Sequence, residues 1–597
     1  MVETENPGTE SVSTLMNQVD SGSFVIPYFQ RGFEWEPSMV SELFQSILQD
    51  YYTGLLLFWD LDEEKANQEE WDPVWGASID DTPDSAILDG QQRLSSLYYA
   101  IYNPAERFPS RKSYYVFYLD LVKALNEDYE DAIPYHYFSK NHQSWSDLND
   151  KDEWIDQGRV PLCILSASDP ENPDNRYINS REFNQWSKRF LEERADDLPP
   201  DVIEFQVRDM FQRILNYNFV QYPLSSERPI RDICNIFAKV NASGMKLSTF
   251  DLMNAFLYPY GVKLRKDLWG KEVPEQLKKM DSNMDLNIVK IISLIKQNYC
   301  SSKYLYNLIP GEETIREEPD GTRYEDILVD SGTEFDDLWR TALDHAETAR
   351  EITMNTGTRQ FGAIREEFIP YGTMLPVLAA VLWEHDGSSD DIEFREQLKR
   401  WYWAAVFSKD YGGSSDTVMG SDFRDWKEWF ERGKTMEQVA KVDAEFIEEL
   451  DFKDIDKGSG RYNGVICLLA LNGPRDFYRR NILGTVDFTD QRINDHHIFP
   501  KKVGGIESEK MQTFDSYRDS IANRTLILDD TNTKIREKRP SEYIDDMISK
   551  HGADVVKELL KEHFISDKAF EYLTDDDFDN FIVEREKEIK RRVIGII

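Results

Sequence analysis

Two adjacent histidines near the C-terminal end of the sequence are the residues best suited to chemistry. His496 and His497 lie in the segment Asn-Asp-His-His-Ile-Phe-Pro-Lys, in a chain that has only eight histidines. The pattern predicts a short strand that ends before Pro500, because proline cannot continue a sheet ladder. A second strand is predicted at 521–528, and Asn532 then opens a predicted helix. Two strands and a helix, with histidines before and asparagine after, suit a single hard cation.

The chemistry that these residue types support is metal-assisted hydrolysis of a phosphodiester. One imidazole and one asparagine carbonyl can hold an ion such as Mg²⁺, while the second histidine, off the metal, deprotonates water. An unperturbed imidazole titrates near about pH 6.5, so it is a competent base at neutral pH. The metal would stabilise charge that develops on the phosphate and on the leaving oxygen. The simpler alternative, an ordinary pair of loop histidines, does not account for the asparagine elements downstream.

A second polar cluster lies in the N-terminal part of the sequence. Residues 86–97 predict a strand, a tight turn at Gly90 and a helix that starts near Gln91. The start of a helix offers free N–H groups, and the guanidinium of Arg93 adds a pair of N–H donors for phosphate oxygens. Asp89 is expected either to bind a metal or to cap the helix. A turn followed by a capped helix, without any ligand, explains this segment equally well.

The elements that must position these residues form an α+β multidomain protein. Short aromatic and β-branched runs alternate with helical patterns over 24–119, whereas 140–180 is polar and predicts an excursion or a long loop. The pattern is mostly helical over 260–455, and 456–597 places a short mixed segment between amphipathic helices. We therefore predict three domains, at 1–259, 260–455 and 456–597.

The composition limits the function classes. The 597-residue chain carries a net charge of −41, with no apolar run long enough to cross a membrane and no secretory leader, so we expect a soluble cytoplasmic protein. Four scattered cysteines argue against a zinc or disulfide framework. A uniformly acidic surface would exclude a DNA partner, but residues 474–540 hold thirteen basic and eleven acidic side chains, a net charge of +2. We expect DNA contact to be confined to this segment and to a pocket with Arg31 and Arg93.

The C-terminal pattern resembles the HNH, or ββα-metal, nucleases, in the branch that ends GmrSD-type restriction enzymes. The resemblance implies that His497 is the general base and that His496 and Asn532 are the metal ligands. It also implies that Asn523 orients the catalytic loop and that Lys538 contacts phosphate. Asp495, one residue before His496, remains an alternative first ligand.

The N-terminal cluster resembles the other half of the same family, whose domain is similar to the ParB/sulfiredoxin fold. Gly90-Gln-Gln-Arg93 matches the turn that grips nucleotide phosphates in that fold. The resemblance implies that a nucleoside triphosphate is bound or hydrolysed there. The residues that it places at the nucleotide are Gln30, Arg31, Asp89, Gly90, Gln91, Gln92 and Arg93. A turn at 241–244 either feeds this pocket or merely separates two helices, the second one capped by Ser248.

The sequence thus predicts a nucleotide-regulated DNA endonuclease of antiphage defence that cleaves foreign, modified DNA. Its expected cofactors are a divalent metal, Mg²⁺ or else Mn²⁺, and a nucleoside triphosphate. The alternatives are an NTP-binding regulator or scaffold whose HNH domain only binds or nicks nucleic acid, and an RNA-directed toxin nuclease. The DNA modification, the identity of the nucleotide and assembly into a homo-oligomer stay open.

Overall fold

The chain folds as two compact units, Met1–Lys266 and Asp267–Ile597. The structure is a computed structural model, and it describes the residues 6–67, 71–79, 82–104, 106–109, 111–138, 148–241, 247–317, 323–357, 360–385, 391–413, 415–480, 482–483, 493–502 and 504–597. The predicted nuclease domain and, from residue 267 onward, the predicted helical region fall within the second unit. The division into three domains stays a prediction.

The first unit combines eleven described strands with ten described α-helices. The strands are β1 (Gly8–Ser11), β2 (Phe24–Pro27), β3 (Leu55–Asp60), β4 (Trp71–Pro73), β5 (Ser85–Asp89), β6 (Tyr114–Asp120), β7 (Tyr135–Phe138), β8 (Arg159–Pro161), β9 (Ser168–Asp169), β10 (Asn172–Arg176) and β11 (Asn218–Leu224). The helices are α1 (Val12–Asp20), α2 (Pro37–Leu48), α3 (Glu63–Ala66), α4 (Gln91–Tyr102), α5 (Leu121–Leu125), α6 (Lys151–Gln157), α7 (Arg181–Glu193), α8 (Glu204–Asn216), α9 (Ile230–Asn241) and α10 (Thr249–Leu257).

A mixed six-stranded sheet organises this unit, in the order β1-β11-β3-β5-β2-β4. Successive side chains of a strand point to opposite faces, and in β2, β3 and β5 the side chains on both faces are largely buried. In β3, Leu56 and Phe58 pack into the core with α1, α2 and α4. The residues between them, Leu57 and Trp59, pack with α9 and α10 on the other face. Such double burial explains the continuous apolar run of this strand.

A smaller three-stranded sheet, β7-β6-β8, lies in the same unit. Of the two alternatives for 140–180, the long loop is wrong for the described part, 148–180, which forms α6, β8, β9, β10 and short 3₁₀ turns. The segment is mostly polar, but it contains a few large apolar side chains. Trp154 is buried against Trp186 at a ring-centroid distance of 5.7 Å, and such contacts support elements too short to show a period.

The second unit is mainly helical. A π-helical stretch, Leu264–Glu272, precedes its α-helices α11 (Glu275–Lys278), α12 (Met284–Gln297), α13 (Ser302–Leu305), α14 (Gly332–Met354), α15 (Leu375–Glu384), α16 (Ile392–Ser408), α17 (Asp416–Arg432), α18 (Glu437–Lys441), α19 (Ala444–Glu449), α20 (Gly460–Leu471), α21 (Phe514–Tyr517), α22 (Asp529–Ile535), α23 (Pro540–His551), α24 (Ala553–Glu562), α25 (Asp567–Thr574) and α26 (Phe578–Ile594). Its strands are β12 (Glu313–Glu317), β13 (Arg323–Ile327), β14 (Ile493–His497) and β15 (Arg524–Leu528).

The α+β class is confirmed, with a mixed sheet in the N-terminal region and a helical C-terminal region. Near the end of the chain, β14 and β15 form an antiparallel pair, and α22 follows β15 directly. Helices surround this small motif in the sequence, α20 before it and α23 to α26 after it. Within the described residues, no helix has the length and apolar character needed to cross a bilayer.

Candidate functional site

The strand pair β14–β15 separates the two adjacent histidines by pointing them in opposite directions. His496 pairs with Thr525 and His497 with Arg524. Directly opposed residues share a face, and successive residues alternate between faces. His496 therefore faces α22, whereas His497 shares the other face with Arg524. Two neighbours in sequence thus enter different environments.

His496 lies against Asn532 of α22. The distance between His496 Nδ1 and Asn532 Oδ1 is 2.8 Å. Two ligands at adjacent corners of an octahedron around Mg²⁺, each at roughly 2.1 Å, would be about this far apart. The other ring nitrogen, Nε2, is buried without a hydrogen-bond partner in the described residues. Burial lowers the pKa of His496 to about 4, which keeps the ring in the neutral form that binds metals.

The donor set fits a magnesium-like ion that keeps several water ligands. Among the residues that the structure describes, no three His, Cys, Asp or Glu side chains form a group able to hold a metal. One imidazole and one amide oxygen would leave most coordination positions to water and to substrate phosphate. Mg²⁺ in proteins usually keeps several water ligands in this way. The residues present therefore fit a metal that arrives with, or is completed by, a phosphodiester.

Asp495 takes no part in this pair of ligands. It lies on the same strand face as His497, where its Oδ2 accepts a hydrogen bond from Tyr462 Oη at 2.8 Å and its Oδ1 accepts one from Lys457 Nζ at 3.2 Å. Burial opposes ionisation of Asp495, but these hydrogen bonds outweigh it and lower the pKa. With Asp495 fixed on the opposite face from Asn532, the geometry favours His496 as the first ligand.

His497 is paired with a carboxylate that the sequence did not indicate. The distance between His497 Nε2 and Asp519 Oδ1 is 2.9 Å. An ionised carboxylate only accepts hydrogen bonds, so Nε2 carries the ring hydrogen and Nδ1 keeps its lone pair. Burial, reinforced by the nearby charge of Arg524, lowers the pKa of His497 to about 4. The ring is therefore neutral at pH 7, with one basic nitrogen available.

Asp519 is held in its charged form by several donors. Partial burial opposes ionisation, but hydrogen bonds from His497 and Lys501 hold the pKa of Asp519 well below its usual range. Arg524 also donates to Asp519 Oδ1, at 3.0 Å. No local spacing rule connects an aspartate 22 positions downstream to a histidine. The contact exists only because β14 and β15 pair.

Asn523 holds the loop that follows the histidine pair. Its side chain is completely buried. Its Oδ1 accepts from the backbone N–H of Phe499 at 2.9 Å, and its Nδ2 donates to the carbonyl oxygens of Phe499 at 3.1 Å and of Arg518 at 2.8 Å. These bonds fix the backbone at Phe499 and Arg518; that this backbone is a catalytic loop stays a prediction.

A cavity of about 940 Å³ opens beside the two histidines and Asn532. Its basic lining residues are Lys501, Lys502, Lys534, Arg536 and Lys538, against the acidic Glu537 and Glu542. Lys538 Nζ pairs with Asp546 at 2.5 Å, an exposed ion pair that a phosphate can replace. A cavity with this excess of positive charge suits a polyanion in an otherwise acidic chain.

The N-terminal unit contains a second cavity, of about 550 Å³, which brings together every predicted nucleotide-binding residue. Those residues are Gln30, Arg31, Asp89, Gly90, Gln91, Gln92 and Arg93. Gly90 is the N-cap of α4 at φ 101°, and no side chain of the described residues caps the start of this helix. The first-turn N–H groups therefore have no capping side chain at the edge of the cavity, an arrangement that favours anions.

Several of these residues also hold the cavity walls. Arg93 Nη1 donates to the Thr53 carbonyl at 2.6 Å, and Nη2 donates to the Leu55 carbonyl at 2.7 Å and to Asp89 at 2.9 Å. Gln92 Oε1 accepts from the backbone N–H of Glu34 at 2.8 Å. Arg93 thus fixes the loop before β3 in addition to lining the cavity.

The segment proposed to feed the cavity is only partly described. The predicted turn at 241–244 falls largely outside the described residues, which resume at 247. Ser248 caps α10 and forms a capping box with Asp251, as the alternative interpretation predicted.

Comparison with known proteins finds a family match in the N-terminal unit and a relative that aligns over nearly the whole chain. Residues 12–258 match the family described as GmrSD restriction endonuclease, N-terminal domain. Over an alignment of 633 positions that covers 99% of both chains, the sequence is 28% identical to the uncharacterized protein MJ0686 of Methanocaldococcus jannaschii. The match supports the predicted resemblance of residues 12–258 to the N-terminal domain of GmrSD-type restriction endonucleases.

Proposed function

We propose that this protein is a nucleotide-regulated, metal-dependent DNA endonuclease that restricts foreign, modified DNA. In this proposal the C-terminal β14–β15–α22 motif is an HNH nuclease site that hydrolyses phosphodiesters. The N-terminal unit is a ParB/sulfiredoxin-like domain that binds and hydrolyses a nucleoside triphosphate. The GmrSD match of the N-terminal unit supports the restriction context.

The observation that carries the proposal is that the two histidines have different partners and suit different roles. His496 and Asn532 place a neutral imidazole nitrogen and an amide oxygen 2.8 Å apart, as two ligands of one cation require. His497, on the opposite strand face, has one nitrogen committed to Asp519 and one left basic. Both histidines border the same basic cavity, so a phosphodiester there meets ligands and base together.

His497 accounts for the proton transfer that activates the water. Its Nδ1 takes a proton from a water molecule as the water oxygen bonds to the phosphorus and the P–O bond to the leaving oxygen breaks, and the resulting imidazolium faces the Asp519 carboxylate. The leaving oxygen departs as an alkoxide and takes a proton from solvent. A cation held by His496 and Asn532 would supply charge stabilisation for the phosphate and the leaving oxygen. Asn523 keeps the backbone after His497 in place during the reaction. Lysine and arginine side chains of the cavity hold the DNA backbone.

Backbone N–H groups at the edge of the N-terminal cavity support nucleotide binding. The uncapped first turn of α4, which begins after Gly90, offers N–H groups to phosphate oxygens. Arg31 and Gln91 line the same space. Arg93 is bonded to two carbonyl oxygens and to Asp89, so in this proposal it shapes the phosphate site and contributes charge rather than swinging toward the ligand.

The test is cleavage of matched DNA substrates by the purified full-length chain. Modified phage DNA and unmodified DNA of the same sequence are incubated with Mg²⁺, Mn²⁺ or EDTA, with and without each nucleoside triphosphate. We expect metal-dependent cleavage that favours one modified DNA and changes with one nucleotide. Absence of cleavage with every metal and nucleotide would favour a regulator or scaffold, and cleavage of RNA alone would favour a toxin nuclease.

A further inference from the structure

Asp476 is a buried carboxylate that takes no part in the proposed reaction. It lies in the segment 475–480, between α20 and β14, and its side chain is completely buried. All of the hydrogen bonds that it accepts among the described residues come from uncharged donors. A buried carboxylate is costly unless hydrogen bonds satisfy it, so its donors indicate what it does in the structure.

The hydrogen bonds of Asp476 join two segments that are distant in the sequence. Its Oδ1 accepts from the backbone N–H groups of Tyr478 at 3.0 Å and of Arg479 at 2.8 Å, within its own turn. The same oxygen accepts from Thr531 Oγ1 at 2.7 Å, and Oδ2 accepts from the backbone N–H of Leu528 at 3.0 Å. The carboxylate therefore joins this turn to the junction between β15 and α22.

Helix α22 has no capping side chain at its own N-cap position. The N-cap residue is Leu528, whose side chain accepts no hydrogen bond. Asp476, from 52 positions earlier in the chain, supplies the negative charge that favours the start of a helix. Because α22 has only seven residues, contacts with neighbouring segments must fix where it lies.

Two further contacts from the same turn lie along this helix. The Tyr478 ring packs against Lys534, whose Nζ is 3.8 Å from the ring centroid. Arg479 forms an exposed ion pair with Asp530. Together with the carboxylate at Thr531, these contacts reach both the first and the last turn of α22.

The residue after Thr531 is Asn532, the proposed metal ligand. Its Oδ1 lies 2.8 Å from His496 Nδ1 across the gap between α22 and β14. Side chains point outward around a helix, so a rotation of α22 about its axis would turn Asn532 away from His496. The bond between Asp476 and the Thr531 hydroxyl opposes that rotation.

From these contacts we infer that Asp476 is a positioning residue of the metal site, which keeps Asn532 facing His496 by fixing the first turn of α22. It acts through the helix and not by touching the metal. Residues that orient metal ligands change metal affinity or activity by about tenfold to a hundredfold when they are replaced. The inference rests on the proposed function for the cation between His496 and Asn532.

Two substitutions remove this connection in different ways. Asp476→Asn keeps the size of the side chain but puts an N–H donor where one carboxylate oxygen now accepts. Thr531→Val keeps the shape of the threonine and removes its hydroxyl. If Asp476→Asn does not fold, Thr531→Val decides the question alone, because three of the four hydrogen bonds of the carboxylate remain in it.

The matched controls are Asp422→Asn and Thr353→Val, in the same unit. Asp422 is also a buried carboxylate, and it accepts from Trp401 Nε1 at 2.8 Å and from Tyr411 Oη at 2.7 Å. Thr353 is also buried, and its hydroxyl donates to a backbone carbonyl of α14 at 2.8 Å. These controls reproduce the loss of buried hydrogen bonds at positions outside the candidate site.

The first measurement is Mn²⁺ binding to the full-length protein with DNA bound, followed by the electron paramagnetic resonance signal of free Mn²⁺. The parent protein for this measurement carries His497→Ala, so that cleavage does not consume the DNA. Asn532→Ala in the same parent shows how much of the Mn²⁺ is bound at the proposed site. The second measurement is DNA cleavage as a function of Mg²⁺ concentration, with His497 restored.

We expect Asp476→Asn to raise both the Kd for Mn²⁺ and the half-saturating Mg²⁺ concentration by about tenfold to a hundredfold. Saturating Mg²⁺ should restore its cleavage rate to near the wild-type value, because the base and the ligands themselves are intact. Thr531→Val should show the same change by a smaller factor. The controls should melt at lower temperature, as Asp476→Asn does, but keep the Mn²⁺ affinity of the parent.

The inference is overturned if folded Asp476→Asn and Thr531→Val bind Mn²⁺ as tightly as the parent, or if Asp422→Asn loses affinity to the same degree. A reduced cleavage rate of Asp476→Asn that no Mg²⁺ concentration restores would also overturn it. Failure of the proposed metal site gives a different result, because the parent would then bind Mn²⁺ no more tightly than Asn532→Ala.

Discussion

Replacing Asp519 with asparagine tests whether its carboxylate assists His497. The variant keeps the size of the side chain and an oxygen for His497 Nε2, Lys501 Nζ and Arg524 Nη2, all of which now donate to the same Oδ1. What it removes is the negative charge that faces the imidazolium. We therefore expect substrate and metal binding to persist while the chemical step slows.

The size of the effect follows from the electrostatics of this pair. Two unit charges about 4 Å apart interact by about 4 kcal/mol at an effective dielectric constant of about 20. Asp519 is 36% exposed and shares its charge with Lys501 and Arg524, so solvent and competing donors reduce this value. We take about 1.5–3 kcal/mol as the remaining loss, which slows the reaction roughly tenfold to a hundredfold.

The assay is single-turnover cleavage of DNA in Mg²⁺ as a function of pH. Since the negative charge of Asp519 raises the pKa of His497, its removal lowers that pKa further, and the acidic limb of the rate profile should move to lower pH. Asp515→Asn is the matched control, because Asp515 is 97% exposed and lies 3.9 Å from Arg518. A rate equal to that of the control, or a slower rate with an unmoved acidic limb, would refute the proposed role of the carboxylate.

Three further predictions concern stability and the nucleotide cavity. Asn523→Ala leaves buried backbone groups without their hydrogen-bond partner, so the free energy of unfolding of the second unit should fall by about 2–4 kcal/mol in urea titrations. An unchanged urea midpoint would contradict these hydrogen bonds. Gly90→Ala adds a Cβ at φ 101° that lies 2.2 Å from Leu56 Cδ2, so this variant should show no nucleotide binding in calorimetry. The control Gly32→Ala should bind the nucleotide normally, because its added Cβ has no atom of the described residues within 4 Å. Burial lowers the pKa of His563 to about 4, from an unfolded value near 6.5. The folded state therefore favours the neutral ring, and the stability that this contributes is present above pH 6.5 and is lost as the pH falls toward 4. His563→Asn should therefore flatten the loss of stability between pH 6.5 and 4 by up to about 1.4 kcal/mol per pH unit, and an identical slope would exclude this cause.

The parts of the site that local spacing could predict are those held within one element or one turn. Gly90 and the start of α4 follow from a strand, a glycine and a helix in sequence order. The histidine pair and Asn532 follow from two strands and a helix close together in the chain. Sheet alternation alone assigns His496 and Asp495 to opposite faces once the pairing is known.

The parts that could not be predicted depend on contacts between distant segments. Asp519 reaches His497 only through the pairing of β14 with β15, and Lys457 reaches Asp495 from the turn before α20. Arg93 has the residue type of a phosphate ligand, yet the carbonyl oxygens of Thr53 and Leu55 occupy its terminal nitrogens. Such partners are set by tertiary packing, which a local sequence pattern does not encode.

The most direct test of the central claim is DNA cleavage in Mg²⁺ by His497→Ala beside the wild type. Circular dichroism and the melting temperature establish that the variant is folded, and binding of the same DNA in EDTA establishes that the substrate site is intact. The proposed mechanism predicts that the folded variant binds DNA normally and that its cleavage rate falls by roughly 10²–10⁴, as expected for loss of a general base. Cleavage at the wild-type rate by folded His497→Ala would contradict the assignment of the nuclease site.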